Sequence, residues 1–67
     1  MKYTIEILRG AADGHEEVLH RTTVEEISPR RTKAKATQLL GGWRHRGASV
    51  ARVRNHHGEE LYRLRET

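Results

Sequence analysis

Hydrophobic and polar positions repeat with two different periods along this chain. Over residues 2–8 they alternate: Tyr3, Ile5 and Ile7 share one parity and Lys2, Thr4 and Glu6 the other. That alternation predicts a half-buried strand. Leu8 breaks it, and residues 9–14, with Gly10 and Asp13-Gly14, read as a turn or short loop. Over residues 15–27, Val18, His20, Thr22 and Val24 share one parity, and Leu19, Arg21 and Thr23 the other. The β-branched run Thr22-Thr23-Val24 favours a second strand, antiparallel to the first. Apolar residues on both parities imply a bulge, or a strand with both faces partly covered.

The period then changes. Ala36, Leu39, Leu40 and Trp43 are spaced i, i+3, i+4, i+7, one face of a helix. Ser28 is suited to the N-cap, where its hydroxyl accepts from an early helical N–H. Pro29 suits the first helical position, where its missing donor costs nothing. Arg44, His45 and Arg46 suit the carbonyl end, and Gly47 a left-handed cap. A helix over 29–46 follows. Gly41-Gly42 is its weak point, since each interior glycine costs about 1 kcal/mol relative to alanine. Trp43 lies on the apolar face and argues for continuation; a break at Gly41 is the alternative.

Residues 49–54 and 59–65 read as a third and fourth strand around the turn Asn55-His56-His57-Gly58. Ala51, Val53, Tyr62 and Leu64 would face the helix, and Arg52, Arg54, Arg63 and Arg65 would face away. The expected architecture is a single α+β domain spanning 1–67: a two-layer sandwich in ββαββ order, one helix packed on an antiparallel or mixed four-stranded sheet. Strand order is not readable, and the helical crossover allows a parallel pairing between the two hairpins. In this register Leu8, Leu19, Val50 and Leu61 lie opposite the helix and form a second apolar patch.

Composition sharpens this picture. The 67 residues are 34% hydrophobic, with no Phe, one Trp and two Tyr. A single core on this scale rarely contributes more than about 3–5 kcal/mol. The absence of cysteine excludes disulfides and thiolate metal sites. A partner subunit is then a reasonable source of further stability, and the apolar patch offers a surface for a homodimer. The opening Met1-Lys2-Tyr3-Thr4-Ile5-Glu6 lacks the apolar run of a signal peptide, and no segment approaches the roughly 20 apolar residues of a membrane span. The expectation is a soluble cytoplasmic protein that does not engage membranes.

The formal charge of +4 and the pI near 10.1 favour an anionic partner, nucleic acid among them. Two basic groups are candidates. Arg30, Arg31, Lys33 and Lys35 crowd the start of the helix, where the dipole disfavours cations and a capping box would want Glu or Gln at position 31. A phosphate at the helix N-terminus would offset that arrangement; a solvated polar face near Glu25 and Glu26 is the plainer explanation. The second group is the outward row Arg52, Arg54, Arg63 and Arg65, with Arg44 and Arg46 as possible extensions. Like charges facing one another across strands repel. Either a nearby carboxylate (Glu6, Glu59, Glu60 or Glu66) or a phosphate backbone must balance them. The three aromatic residues, Tyr3, Trp43 and Tyr62, belong to the core by pattern, which leaves phosphate contact without base stacking.

The remaining chemistry is sparse. Five histidines (His15, His20, His45, His56, His57) show no spacing that would converge three ligands on a metal. There is no Gly-x-Ser-x-Gly and no P-loop, because Gly41-Gly42-Trp43 lacks the Lys-Ser/Thr that reaches phosphates. Glu16-Glu17, Glu25-Glu26 and Glu59-Glu60 are sequence neighbours whose side chains diverge on a strand. No enzyme activity, cofactor or small-molecule substrate is expected.

The hairpin Val50-Ala51-Arg52-Val53-Arg54-Asn55-His56-His57-Gly58-Glu59-Glu60-Leu61-Tyr62-Arg63-Leu64, within the ββαββ order, resembles the ending of some short bacterial proteins of unknown function. The opening Lys2-Tyr3-Thr4-Ile5-Glu6-Ile7 is similar to the first strand of HicB-type antitoxins; the proline- and cysteine-bearing stretch that follows strand two in those proteins has no counterpart here. Neither resemblance implies catalytic residues. The expected function is a small basic binding module contacting nucleic-acid phosphates through clustered arginines; the alternative is a protein-interaction or homodimerisation module without nucleic-acid binding.

Overall fold

A computed structural model describes residues 1–10 and 14–65. Its elements are β1 (Lys2–Gly10), β2 (Glu16–Glu25), α1 (Pro29–Trp43), a single 3-10 turn at Arg44–Arg46, β3 (Val50–Arg54) and β4 (Glu60–Arg65). The four strands form one sheet in the order β2-β1-β3-β4, antiparallel throughout, with the helix on one face. The hairpins therefore join through β1 and β3 in antiparallel fashion, and the parallel solution is not adopted.

β1 sits in the centre because it carries the most continuous apolar stretch. Tyr3, Ile5 and Ile7 are buried against Ala36 and Leu40 of α1 and against Ala51 and Val53 of β3. Leu39, Trp43, Tyr62 and Leu64 close the margins of this core. The polar parity of β1 carries the register of the opposite face, where the charged residues stand.

Several boundaries differ from the sequence reading. β1 does not turn at Arg9 but pairs through Gly10, opposite Glu16 and Glu17. The expected turn thus shrinks to residues 11–15, of which 11–13 lie outside the described residues. β2 shows the bulge that its mixed parity implied. Ile7 faces His20 and Leu8 faces Val18, so Leu19 is the extra residue and packs with the helix-side core. A second irregularity falls between Val53 and Arg54, opposite Leu61 in β4.

The apolar patch expected opposite the helix is broken up. Leu19 has moved to the core, Leu61 is 38% exposed, and Leu8 and Val50 are 1% and 3% exposed. Leu8 and Val50 are cross-strand partners on the open face. Arg63 on one edge strand reaches Glu16 on the other at 2.8 Å, spanning the two central strands. A charged bridge of this kind covers apolar surface with its aliphatic stem while the head stays polar.

α1 starts as its cap residues require. Ser28 Oγ accepts from the Arg31 N–H at 3.3 Å, and Thr32, fully buried, donates its hydroxyl to the Ser28 carbonyl at 3.2 Å. The helix passes through Gly41-Gly42 without breaking and then tightens. It does not remain α-helical to Arg46: the 3-10 turn ends at Gly47, whose φ of 89° and N–H bond to the Arg44 carbonyl close the element. No helix among the described residues is long and apolar enough to cross a membrane.

Candidate functional site

The open face of the sheet gathers five of the ten arginines, and the strand register explains how. Glu6 of β1 stands opposite Arg21 of β2 on one side and Arg52 of β3 on the other, and Arg52 stands opposite Arg63 of β4. One row across the whole sheet therefore reads Arg21, Glu6, Arg52, Arg63. The next row carries Thr23, Thr4, Arg54 and Glu60.

Glu6 is the anchor of this face. It is 2% exposed, unusual for a carboxylate unless it is paired. Arg21 donates from Nε to Oε2 at 2.8 Å, with its Nη2 at 2.7 Å. Arg52 donates from Nε to Oε1 at 2.8 Å, with its Nη2 also at 2.8 Å. Arg54 brings Nε to 3.2 Å of Oε1, but that buried Nε makes no hydrogen bond, so Arg54 is attached by charge alone. Burial pushes the Glu6 carboxyl up, and the hydrogen bonds from Arg21 and Arg52, with the charges of Arg52 and Arg54, outweigh it. The net effect holds Glu6 below its ordinary 4.5.

Arg63 has its own carboxylates. Its Nη1 lies 2.8 Å from Glu16 Oε2, and its Nη2 lies 3.0 Å from Glu60 Oε1. Those bonds, that to Glu60 first, raise its pKa further, so it carries full charge at any working pH. The face holds five guanidinium groups (Arg21, Arg52, Arg54, Arg63, Arg65) and Lys2 against the four carboxylates Glu6, Glu16, Glu25 and Glu60. A surplus of positive charge remains, and with it many N–H donors that the carboxylates do not use, since each guanidinium offers five.

A depression of about 420 Å³ lies between Arg21 and Arg54, floored by Thr4 and Glu6, with His56 and Gly58 on its rim. Hydrogen bonds close the β3–β4 turn there. Asn55 Oδ1 accepts from the N–H groups of His57 and Glu59 at 2.9 and 3.0 Å, and Gly58 takes a φ of 84°.

The second basic group is elsewhere. Arg30, Arg31, Lys33 and Lys35 belong to the helix layer, on the other side of the sheet. Lys35 pairs with Glu26. That hydrogen bond is the main reason the Glu26 carboxyl sits below its ordinary value, with Arg31 adding a weaker pull. Lys33 places Nζ 5.2 Å from the centre of the Tyr62 ring. Arg30 and Arg31 are exposed at the helix start. Arg46 does not extend the outward row: it lies over the Trp43 ring at 5.8 Å, on the helix side, and Arg44 begins the same 3-10 turn. The ten basic residues singled out in the sequence therefore form two surfaces and not one.

Arg21 escaped the sequence reading as a partner of Glu6. Both residues sit on the polar parity of their strands, but their pairing depends on the length of the β1–β2 turn and on the bulge at Leu19, and neither has a unique sequence signature. The aromatic residues are all on the helix side: Tyr3 is 2% exposed, Trp43 stacks on His20 at 5.1 Å, and Tyr62 joins the core margin. Among the described residues, no three His, Cys, Asp or Glu side chains group to hold a metal ion. Comparison with protein-family models, with curated proteins and with solved structures finds no match to this chain.

Proposed function

We propose that this chain is a small non-enzymatic binding module that lays the open face of its sheet against nucleic-acid phosphates. The observation that carries this reading is the buried carboxylate of Glu6, shared by Arg21, Arg52 and Arg54. A fixed anion at the centre of the face holds guanidinium groups in place before a ligand arrives, which lowers the entropy lost on binding. Arginine also suits phosphate, because its planar fork can present two parallel donors to one phosphate.

The same face lacks aromatic side chains among the described residues, so the contact is to backbone phosphate and not to unstacked bases. Duplex is the expected form, with little dependence on base sequence. Arg21, Arg54 and Arg65 have the most accessible heads of the five arginines. Neutralising about three phosphates gives a slope of about −3 in log affinity against log salt.

Anisotropy of a labelled duplex at low salt tests the proposal. Arg54→Gln with Arg65→Gln should weaken binding about tenfold or more and flatten the salt slope by about 2. Arg30→Gln with Arg31→Gln, on the opposite layer, should change affinity less than about twofold. Absence of binding to any duplex or single strand at low salt, or an equal loss in both double variants, would overturn it.

A further inference from the structure

We infer that β2 is a docking edge for a second copy of this chain, paired with itself in antiparallel fashion about Thr23. This inference rests on the edge geometry of β2 and is independent of phosphate binding.

β2 and β4 are the two outer strands of the sheet. They differ in how well they are protected. The irregularity opposite Leu61 interrupts β4, leaving Tyr62–Arg65 as its regular part, and Arg63 and Arg65 would meet like charges in most self-pairings. Bulges and charges of this kind are how edges avoid pairing. β2 is regular from His20 to Glu25 and contains no Lys or Pro there.

The main-chain groups of β2 point in known directions. Glu26 and Met1 exchange two main-chain hydrogen bonds, of 2.9 and 3.0 Å. In an antiparallel ladder, bonded pairs recur at every second residue. Val24, Thr22 and His20 are thus turned toward β1, and the N–H and C=O groups of Arg21, Thr23 and Glu25 are turned toward the outer edge.

One register uses all of them. With Thr23 opposite Thr23 of the second copy, Arg21 falls opposite Glu25 of the second copy, and Glu25 opposite its Arg21. Each of these three pairs can exchange two main-chain hydrogen bonds. The side chains agree with the register. Thr–Thr and opposite-charge pairs are both favourable across strands. Shifting the two-fold axis to Arg21 would instead set Arg21 against Arg21. On the helix side, Thr22 and Val24 meet each other's counterparts.

The position of α1 leaves room for this. It packs mainly on β1, β3 and β4, so the inner face of β2 is one wall of an open groove of about 480 Å³, lined by His20, Thr22, Val24, Lys35, Gln38 and Leu39. The chosen register also brings Ile27, 80% exposed and just beyond the strand, toward the bulged Leu19 of the second copy. The dimer would hold one continuous eight-stranded sheet with both arginine faces on the same side.

Sedimentation velocity from about 10 to 500 µM, together with thiol cross-linking, tests this. The chain should approach twice its 7.7 kDa mass at the upper end. Because there is no native cysteine, Thr23→Cys introduces a single thiol. Bonded antiparallel partners have Cα atoms about 5.5 Å apart, within the usual disulfide range. Mild oxidation should therefore link Thr23→Cys efficiently and Thr22→Cys at least tenfold more slowly. Glu25→Arg should weaken association at least tenfold with unchanged circular dichroism. A monomer at every concentration would overturn the inference. So would equal cross-linking of Thr22→Cys and Thr23→Cys, or a dimer indifferent to Glu25→Arg. Loss of phosphate binding alone would leave it standing.

Discussion

Replacing Glu6 with glutamine changes one oxygen to an amide nitrogen and removes the charge that Arg21, Arg52 and Arg54 share. Arg52, with a side chain 17% exposed, loses a charge-assisted hydrogen bond worth about 1.5–2 kcal/mol. Arg21 is 62% exposed and regains water, so its loss is held to about 0.5–1 kcal/mol. The amide also turns a donor toward donors. Together Glu6→Gln should cost about 2–3 kcal/mol, half or more of what a core this small supplies. With a urea dependence of about 1 kcal/mol per molar, the midpoint should fall by about 2–3 M. Trp43 is the only tryptophan, half-buried at the core margin, so its fluorescence reports the transition. A loss below about 0.5 kcal/mol would refute the view of Glu6 as the anchor, because that is the size of an ordinary surface substitution. The pH dependence gives a second readout. The folded Glu6 carboxyl lies below 4.5, so the unfolded chain takes up its proton first as pH falls. Its stabilisation is therefore complete above the unfolded value and is lost as pH drops through the folded one. Glu6→Gln should flatten that acid limb and leave the neutral region parallel to the parent.

The helix offers two further tests. Gly41 and Gly42 are helical, and an added Cβ would meet nothing within 4 Å at either, so Gly41→Ala with Gly42→Ala should stabilise the domain by about 1–2 kcal/mol in thermal unfolding. Ser28→Ala removes the acceptor for the Arg31 N–H and should cost about 1 kcal/mol, about 4–8 °C in melting temperature for a domain of this size.

Local chemistry was legible in the chain. The alternation at Tyr3, Ile5 and Ile7, the spacing of Ala36, Leu39, Leu40 and Trp43, and the Ser28-Pro29 start mark the elements because strand and helix periods are short-range properties of the backbone. They also separate the arginines of β3 and β4 from the helix face, since side-chain parity follows from the strand itself. Parity also put Glu6 among the carboxylates that could balance the arginine row, and Arg52 and Arg54 do pair with it; what was not legible is that Arg21 also shares Glu6. The partners of Glu6 arrive from β2 and β3, and which strands flank β1, and in which register, depends on how the bulge at Leu19, the turn length and the crossover through α1 are satisfied at once. The same long-range choice buried Leu8 and Val50, where parity alone expected an exposed patch. Sequence determined which residues could share a face; only the assembled sheet decided that one carboxylate would stand among three guanidinium groups, because that proximity joins residues 6, 21, 52 and 54 through contacts no local period encodes.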